Sequence, residues 1–275
     1  MITQSVIATT LIGIVITGLI PIIGGIALMA MGKIKASSFW AGVLAYIIAI
    51  LVTGIAAVIL GLAAPDMVME GSAAYGIISS LINGVVFALA MGVCVKSCMK
   101  TRTFNAALSC GLGFAVSYAV TLAISFVSVY ITFGNINSGA FDVQYAQFVK
   151  MGVFDKETVN MLKAAYTEMT VITIVQQILI GVFFAAAMAA AAVFIMRFVC
   201  TGKAFLGICA AMGTFVLYGI GSAIPNVFAA IIVTAAIGIA ALIFAVRMKE
   251  QVTPPEKAAV IDPFLNSVEN AKNEE

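Results

Sequence analysis

The chain has 275 residues, 63% of them hydrophobic and 9% charged, with 14 basic and 12 acidic side chains, a net charge of +2 and no histidine. Soluble domains carry roughly 45–50% apolar and ~25% charged residues, so this composition excludes a water-soluble globule and points to a polytopic membrane protein. The small net charge excludes an electrostatic footprint for nucleic acid, and the missing histidine removes His-ligated metals, Ser–His and Cys–His pairs.

Seven stretches hold the ~20 mostly apolar residues that a helical span needs. They run from Val6 to Met31, Phe39 to Ala64, Ala73 to Val95, Phe104 to Phe133, Met169 to Phe198, Ala204 to Gly221 and Asn226 to Val246. The expected fold is therefore all-α: a bundle of about seven transmembrane helices over residues 1–250. No basic residue precedes the first stretch, which is too long for the apolar part of a signal peptide, so it is read as a span. Pro21 with Gly24 and Gly25 predicts a kink within it.

Charged residues lie outside these stretches or at their ends, as the cost of a charge in hydrocarbon requires. The loops after the first, third and fifth spans hold Lys33, Lys35, Lys96, Lys100, Arg102, Arg197 and Lys203 and no acid, whereas Asp66 and Glu70 follow the second. By the positive-inside rule the N-terminus lies outside and the C-terminus in the cytosol, in a multi-pass protein of a bacterial plasma membrane.

The one long connection, Gly134 to Glu168, lies outside. Asn135-Ile136-Asn137-Ser138-Gly139 reads as a turn cluster. Asp155 reads as an N-cap, followed by Val159, Leu162, Tyr166 and Met169 at helical spacing, which predicts a surface helix feeding span five. The run from Ala185 to Ala192 gives span five a small-residue face for close packing. Gly219 to Pro225 breaks the chain between spans six and seven as a tight outer turn, and residues 251–275, with Pro254-Pro255 and Asp262-Pro263, read as a flexible cytosolic tail.

Few residues are equipped for chemistry. Cys94 and Cys98 share a helix face near the cytosolic side, where Cys200 also falls; they read either as small packing residues or as a soft-metal set. Polar groups inside the spans include Asn83, Ser117, Tyr118, Gln176 and Gln177, all neutral. They suit hydrogen bonding across helices, to a peptide backbone or to a small solute, but relay no protons as a carboxylate does.

The middle of the chain, roughly Ala73 to Pro225, resembles the YhfC family of intramembrane peptidase-like proteins. The features that carry the likeness are Phe104-Asn105-Ala106-Ala107-Leu108, Gly111-Leu112-Gly113, Ile136-Asn137-Ser138-Gly139-Ala140-Phe141-Asp142 and Gln176-Gln177, in this order. The family pattern places histidine and glutamate after the Gly-x-Gly, where this chain has Phe114 and Tyr118. It places Glu-Arg and a later histidine where this chain has Gln176, Gln177 and Phe184, and a Glu-Glu pair near Val86 to Ala90, where there is no acid. A further family histidine would fall near Gly213.

Each replacement removes a charge or a metal-binding nitrogen. The resemblance thus implies a degenerate, catalytically inactive member with no catalytic residue, no metal and no cofactor. Such a member is expected to touch the lipid bilayer and to bind a hydrophobic peptide or membrane-protein partner. Two other readings stand beside it. One is a small-solute transporter or membrane substrate-binding subunit. The other is an enzyme using cysteine thiolates or the outer acids Asp142 and Glu168.

Overall fold

The computed structural model describes residues 2–63, 73–99 and 101–252; Asp66, Glu70, Lys100 and nearly all of the expected tail lie outside them. Those residues form helices and no strand. The first span is α1 (Gln4–Ile14), a π-turn (Val15–Leu19) and α2 (Ile20–Ala30). Then come α3 (Ala36–Ala63), α4 (Ala73–Ser97) and α5 (Phe104–Ser138). Two short helices follow, α6 (Ala140–Lys150) and α7 (Lys156–Thr167). The described residues end with α8 (Val171–Cys200), α9 (Ala204–Ser222), α10 (Val227–Arg247) and one turn, α11 (Lys249–Val252). Seven of these elements, counting α1 to α2 as one, are long and apolar enough to cross a membrane. This is the build of a multi-pass integral membrane protein.

Three boundaries differ from the sequence expectation, each for a local reason. The irregularity in the first span lies ahead of Pro21 and not at Gly24-Gly25. Proline has no N–H to give, and the preceding backbone widens so that the Ile20 N–H reaches the Val15 carbonyl. The turn cluster at Asn135 to Ser138 is helix. Asn137 clamps the start of the chain, accepting from the Ile2 N–H at 2.8 Å and donating to the Ile2 carbonyl at 3.2 Å. The reversal is confined to Gly139, whose φ of +78° only glycine adopts cheaply. Finally, Gly219 and Gly221 belong to α9, and the turn to α10 is only 223–226, closed by the Asn226 side chain accepting from the Ala229 N–H.

The long connection holds two helices where one was expected. Phe141, Tyr145 and Phe148 of α6 pack with Phe154 of the following turn at centroid distances of 4.3–6.1 Å, and Lys163 of α7 reaches Asp142 of α6 at 2.6 Å. Tyr166 and Met169 pack onto a small upper core of Val6, Phe126, Phe133 and Ile174. Asp155 does cap α7, accepting from the Thr158 N–H at 2.6 Å. Those bonds from Thr158 hold its carboxyl below the usual carboxylate range. A depressed acid stabilises the fold above its unfolded pKa and loses that contribution as pH falls through the folded value. Acidification below about pH 4 is therefore expected to lower the amide protection factors, taken against the unstructured rate at the same pH, at the start of α7 while leaving those of α5 high, and Asp155→Ala to abolish that pH dependence. Protection factors at α7 that stay constant with pH in the parent chain reject the capping account.

The bundle is a ring in which α3 packs on α5, α5 on α8, α8 on α9, α9 on α4 and α4 on α3. The first span lies outside α5 and α8, and α10 outside α8 and α9. Helix α8 is consequently covered on several sides. Its window is 67% buried, against at most 44% in any other span, and the alanines from Ala187 to Ala192 are the reason that neighbours come so close. At the lower end of the ring, where Lys33, Lys96, Arg197 and Lys203 emerge, backbones touch. A Cβ on Gly42 would meet the Cys110 carbonyl oxygen at 1.9 Å, one on Gly113 the Phe39 carbonyl oxygen at 2.0 Å, and one on Gly111 the Ala189 backbone at 2.5 Å. At the upper end the ring is looser. No residue of α3 beyond Ala49 is buried, and α4 and α5 share no extensive contact.

Candidate functional site

Between the tight lower half and the open upper half lies a floor of aromatic rings, with every helix of the ring contributing. Tyr46 comes from α3, Phe87 from α4, Phe114 and Tyr118 from α5, Phe184 from α8, and Phe215 and Tyr218 from α9. Phe87 is the hub, at 6.3 Å from Tyr46, 5.5 Å from Phe114, 6.3 Å from Phe184 and 6.0 Å from Phe215. Tyr118 stands edge-on to Phe184 at 4.8 Å, and Phe184 lies against Tyr218 at 4.7 Å. Most pairs are edge-to-face, the arrangement that the ring quadrupole favours. The Tyr218 hydroxyl donates to the Ile180 carbonyl, tying α9 to α8 at this level.

The floor has a register. Moving seven residues from one aromatic on each helix towards the upper end reaches a neutral polar side chain in all five cases. Tyr46 leads to Thr53, Phe87 to Ser80, Tyr118 to Ser125, Phe184 to Gln177 and Phe215 to Ser222. Seven residues are two turns within about 20°, so each polar residue sits on the same face as its aromatic, roughly 10 Å higher. Directions alternate around most of the ring, as the contacts of Gly76 with Ala223 and Gly92 with Ile208, and of Gly111 with Ala189 and Gly181 with Leu122, require. A step of minus seven on α4 and α8 thus matches a step of plus seven on α3, α5 and α9.

A cavity of 310 Å³ occupies the space above the floor on the α4, α8 and α9 side. Ser79, Ser80, Asn83, Tyr118, Tyr218 and Ser222 supply its polar lining, and Phe87, Phe184 and Phe215 its base; no charged side chain takes part. The hydroxyls of Ser80 and Ser222 donate to their own helix, to Gly76 and Gly219, at 2.7 Å each. Their hydroxyl oxygens keep lone pairs that can accept, while the Asn83 amide supplies both donor and acceptor.

The structure gathers some of the residues singled out from the sequence and separates others. Phe114, Tyr118 and Phe184 converge in the floor, with Phe87 from the Val86–Ala90 stretch beside them. Asn83 stands at the mouth of the cavity, exposed. Ser117 lies off the cavity, half-buried, with its hydroxyl on the Gly113 carbonyl at 3.0 Å. Gln176 is half-buried and Gln177 exposed, two turns above Phe184. Gln177 shares the Phe184 face but is not among the residues that line the cavity; Gln176 is turned about 100° from it.

Tyr46, Phe87 and Phe215 were absent from the sequence-derived set. The signal that marks them is the aromatic-to-polar step of seven, which is legible only once the ring helices are known. Among the described residues no three of Cys, Asp and Glu come together as a metal would need, and the five cysteines are unpaired. Searches find no matching family model, no matching curated protein and no matching solved structure.

Proposed function

We propose that this chain is a non-catalytic, YhfC-like membrane protein that holds a hydrophobic peptide, or a segment of a membrane-protein partner, in the cleft above its aromatic floor. The supporting observation is convergence. The positions where the resemblance expects histidine, glutamate and histidine are Phe114, Tyr118 and Phe184, and these pack into one cluster, with Phe87 from the stretch that would hold the acid pair. A former polar centre rebuilt from aromatic rings cannot activate water, because it has neither a base nor a metal ligand. The cleft above it remains, and hydroxyls and amides there match the demands of a peptide backbone. The basic loops belong in the cytosol, so the cleft opens outward, in the plasma membrane of a bacterium.

A second reading has its own support. The lower half is sealed by backbone contacts at Gly42, Gly111 and Gly113 while the upper half is open, the asymmetry expected of a solute-binding membrane subunit or a transporter in one of its states. A cavity of 310 Å³ suits a small ligand.

A photoreactive residue at Gln177 tests the peptide reading against a control at Ile232, which faces outward from α10. With the purified protein in nanodiscs and a labelled 15-residue hydrophobic peptide, Gln177 is expected to form an adduct with uncleaved peptide, and Ile232 none. Equal labelling at both positions removes the peptide reading. Cleavage of the peptide that disappears on altering one floor residue removes the non-catalytic one.

A further inference from the structure

The floor and the polar residues above it say more than that a cleft exists. We infer that the cavity is a recognition site for one uncharged aromatic ring carrying a hydrogen-bonding group, seated on the floor with its polar end among the upper side chains. This rests on the cleft being a binding site, and it narrows what is bound there. Five of the fourteen lining residues are Phe or Tyr, namely Phe87, Tyr118, Phe184, Phe215 and Tyr218, and their edges and faces offer a sixth ring the same edge-to-face contacts they make with one another. The step from floor to the polar level is about 10 Å, which fits a ring plus a short polar arm.

Charge selects as well. No Asp or Glu lines the cavity to neutralise a cation and no Lys or Arg to neutralise an anion, so an ionised ligand would be desolvated without a partner. A neutral ring with an amide meets Asn83, Ser80 and Ser222. The ring has two conceivable sources with the same chemistry: an aromatic side chain of a bound peptide, or a free small molecule.

The test uses the 275-residue chain in nanodiscs and calorimetric titration with five probes. N-acetyl-phenylalaninamide is the neutral aromatic, N-acetyl-cyclohexylalaninamide its saturated counterpart, and phenylalaninamide its cationic form. The fourth is a 15-residue hydrophobic peptide with one phenylalanine, compared with the same peptide carrying leucine. The neutral aromatic is expected to bind about tenfold more tightly than the saturated and the cationic probes. Asn83→Leu and Ser222→Val, both at the open rim, are expected to weaken it about fivefold with no change in melting temperature.

Equal affinity for aromatic and saturated rings, no binding of either aromatic probe, or indifference to both rim substitutions overturns the inference. If the two peptides bind equally well, peptide binding stands and the ring site falls. If the free aromatic amide binds and neither peptide does, the ring site stands and the peptide reading falls.

Discussion

Gly113→Ala is expected to prevent the lower half of the bundle from closing. The added methyl would sit 2.0 Å from the Phe39 carbonyl oxygen, and the mirror change Gly42→Ala would place one 1.9 Å from that of Cys110. Both obstacles are backbone atoms within regular helices, so no rotamer change relieves them; α3 and α5 must separate. In lipid there is no hydrophobic gain to hold them together, and association rests on the packing that the methyl destroys. The cost is about 3 kcal/mol or more, at the upper end for overpacking. Gly54→Ala is the control, on α3 with Gly42. Nothing lies within 4 Å of its Cβ position, and removing a glycine from a helix interior stabilises it by roughly 0.5–1 kcal/mol. Unfolding of the purified protein by graded SDS should therefore move in opposite directions for the two substitutions. A Gly113→Ala protein that unfolds with the parent means that α3 and α5 do not cross there.

Phe87→Ala is expected to open the floor. Phe87 touches four other rings and is 8% exposed, and truncating a buried phenylalanine costs about 3–5 kcal/mol in soluble proteins. The lower figure applies here, because most of the loss is dispersion and not transfer from water. The sharper readout is access. Cys94 lies seven residues below Phe87 on α4 and Cys110 four below Phe114 on α5, and both are buried. A bulky thiol reagent is expected to label Cys98 and Cys200, which are exposed, in parent and variant alike, and Cys94 and Cys110 only after the floor is breached. Mass mapping of the modified peptides decides it. Cys94 and Cys110 that label as fast in the parent show that the rings do not seal the lower half.

What the two experiments probe was unevenly legible. The spans could be read because hydrocarbon penalises every charge and every unpaired backbone group, so length and apolarity suffice to place a helix. The end of α5 was misread because Asn135 to Ser138 has turn composition, and only the long-range bond from Asn137 to Ile2 shows why helix persists there. Phe114, Tyr118 and Phe184 were singled out through a resemblance, and that they meet was visible only in the structure. Tyr46 and Phe215, which complete the same floor, have no local mark that separates them from the other aromatics of a membrane chain.

By itself the sequence determined that the chain is helical, that seven stretches are long and apolar enough to cross a bilayer, that α8 presents a small-residue face and that charged side chains keep to the span ends or beyond. These follow from the solvent, which acts on each segment independently. Which faces meet was decided by tertiary structure alone. The glycine contacts that draw the lower ends together, the aromatic floor and the neutral cavity above it depend on rotation and depth of one helix relative to another. Hydropathy is blind to both, since in lipid an apolar residue is equally content on either side of its helix.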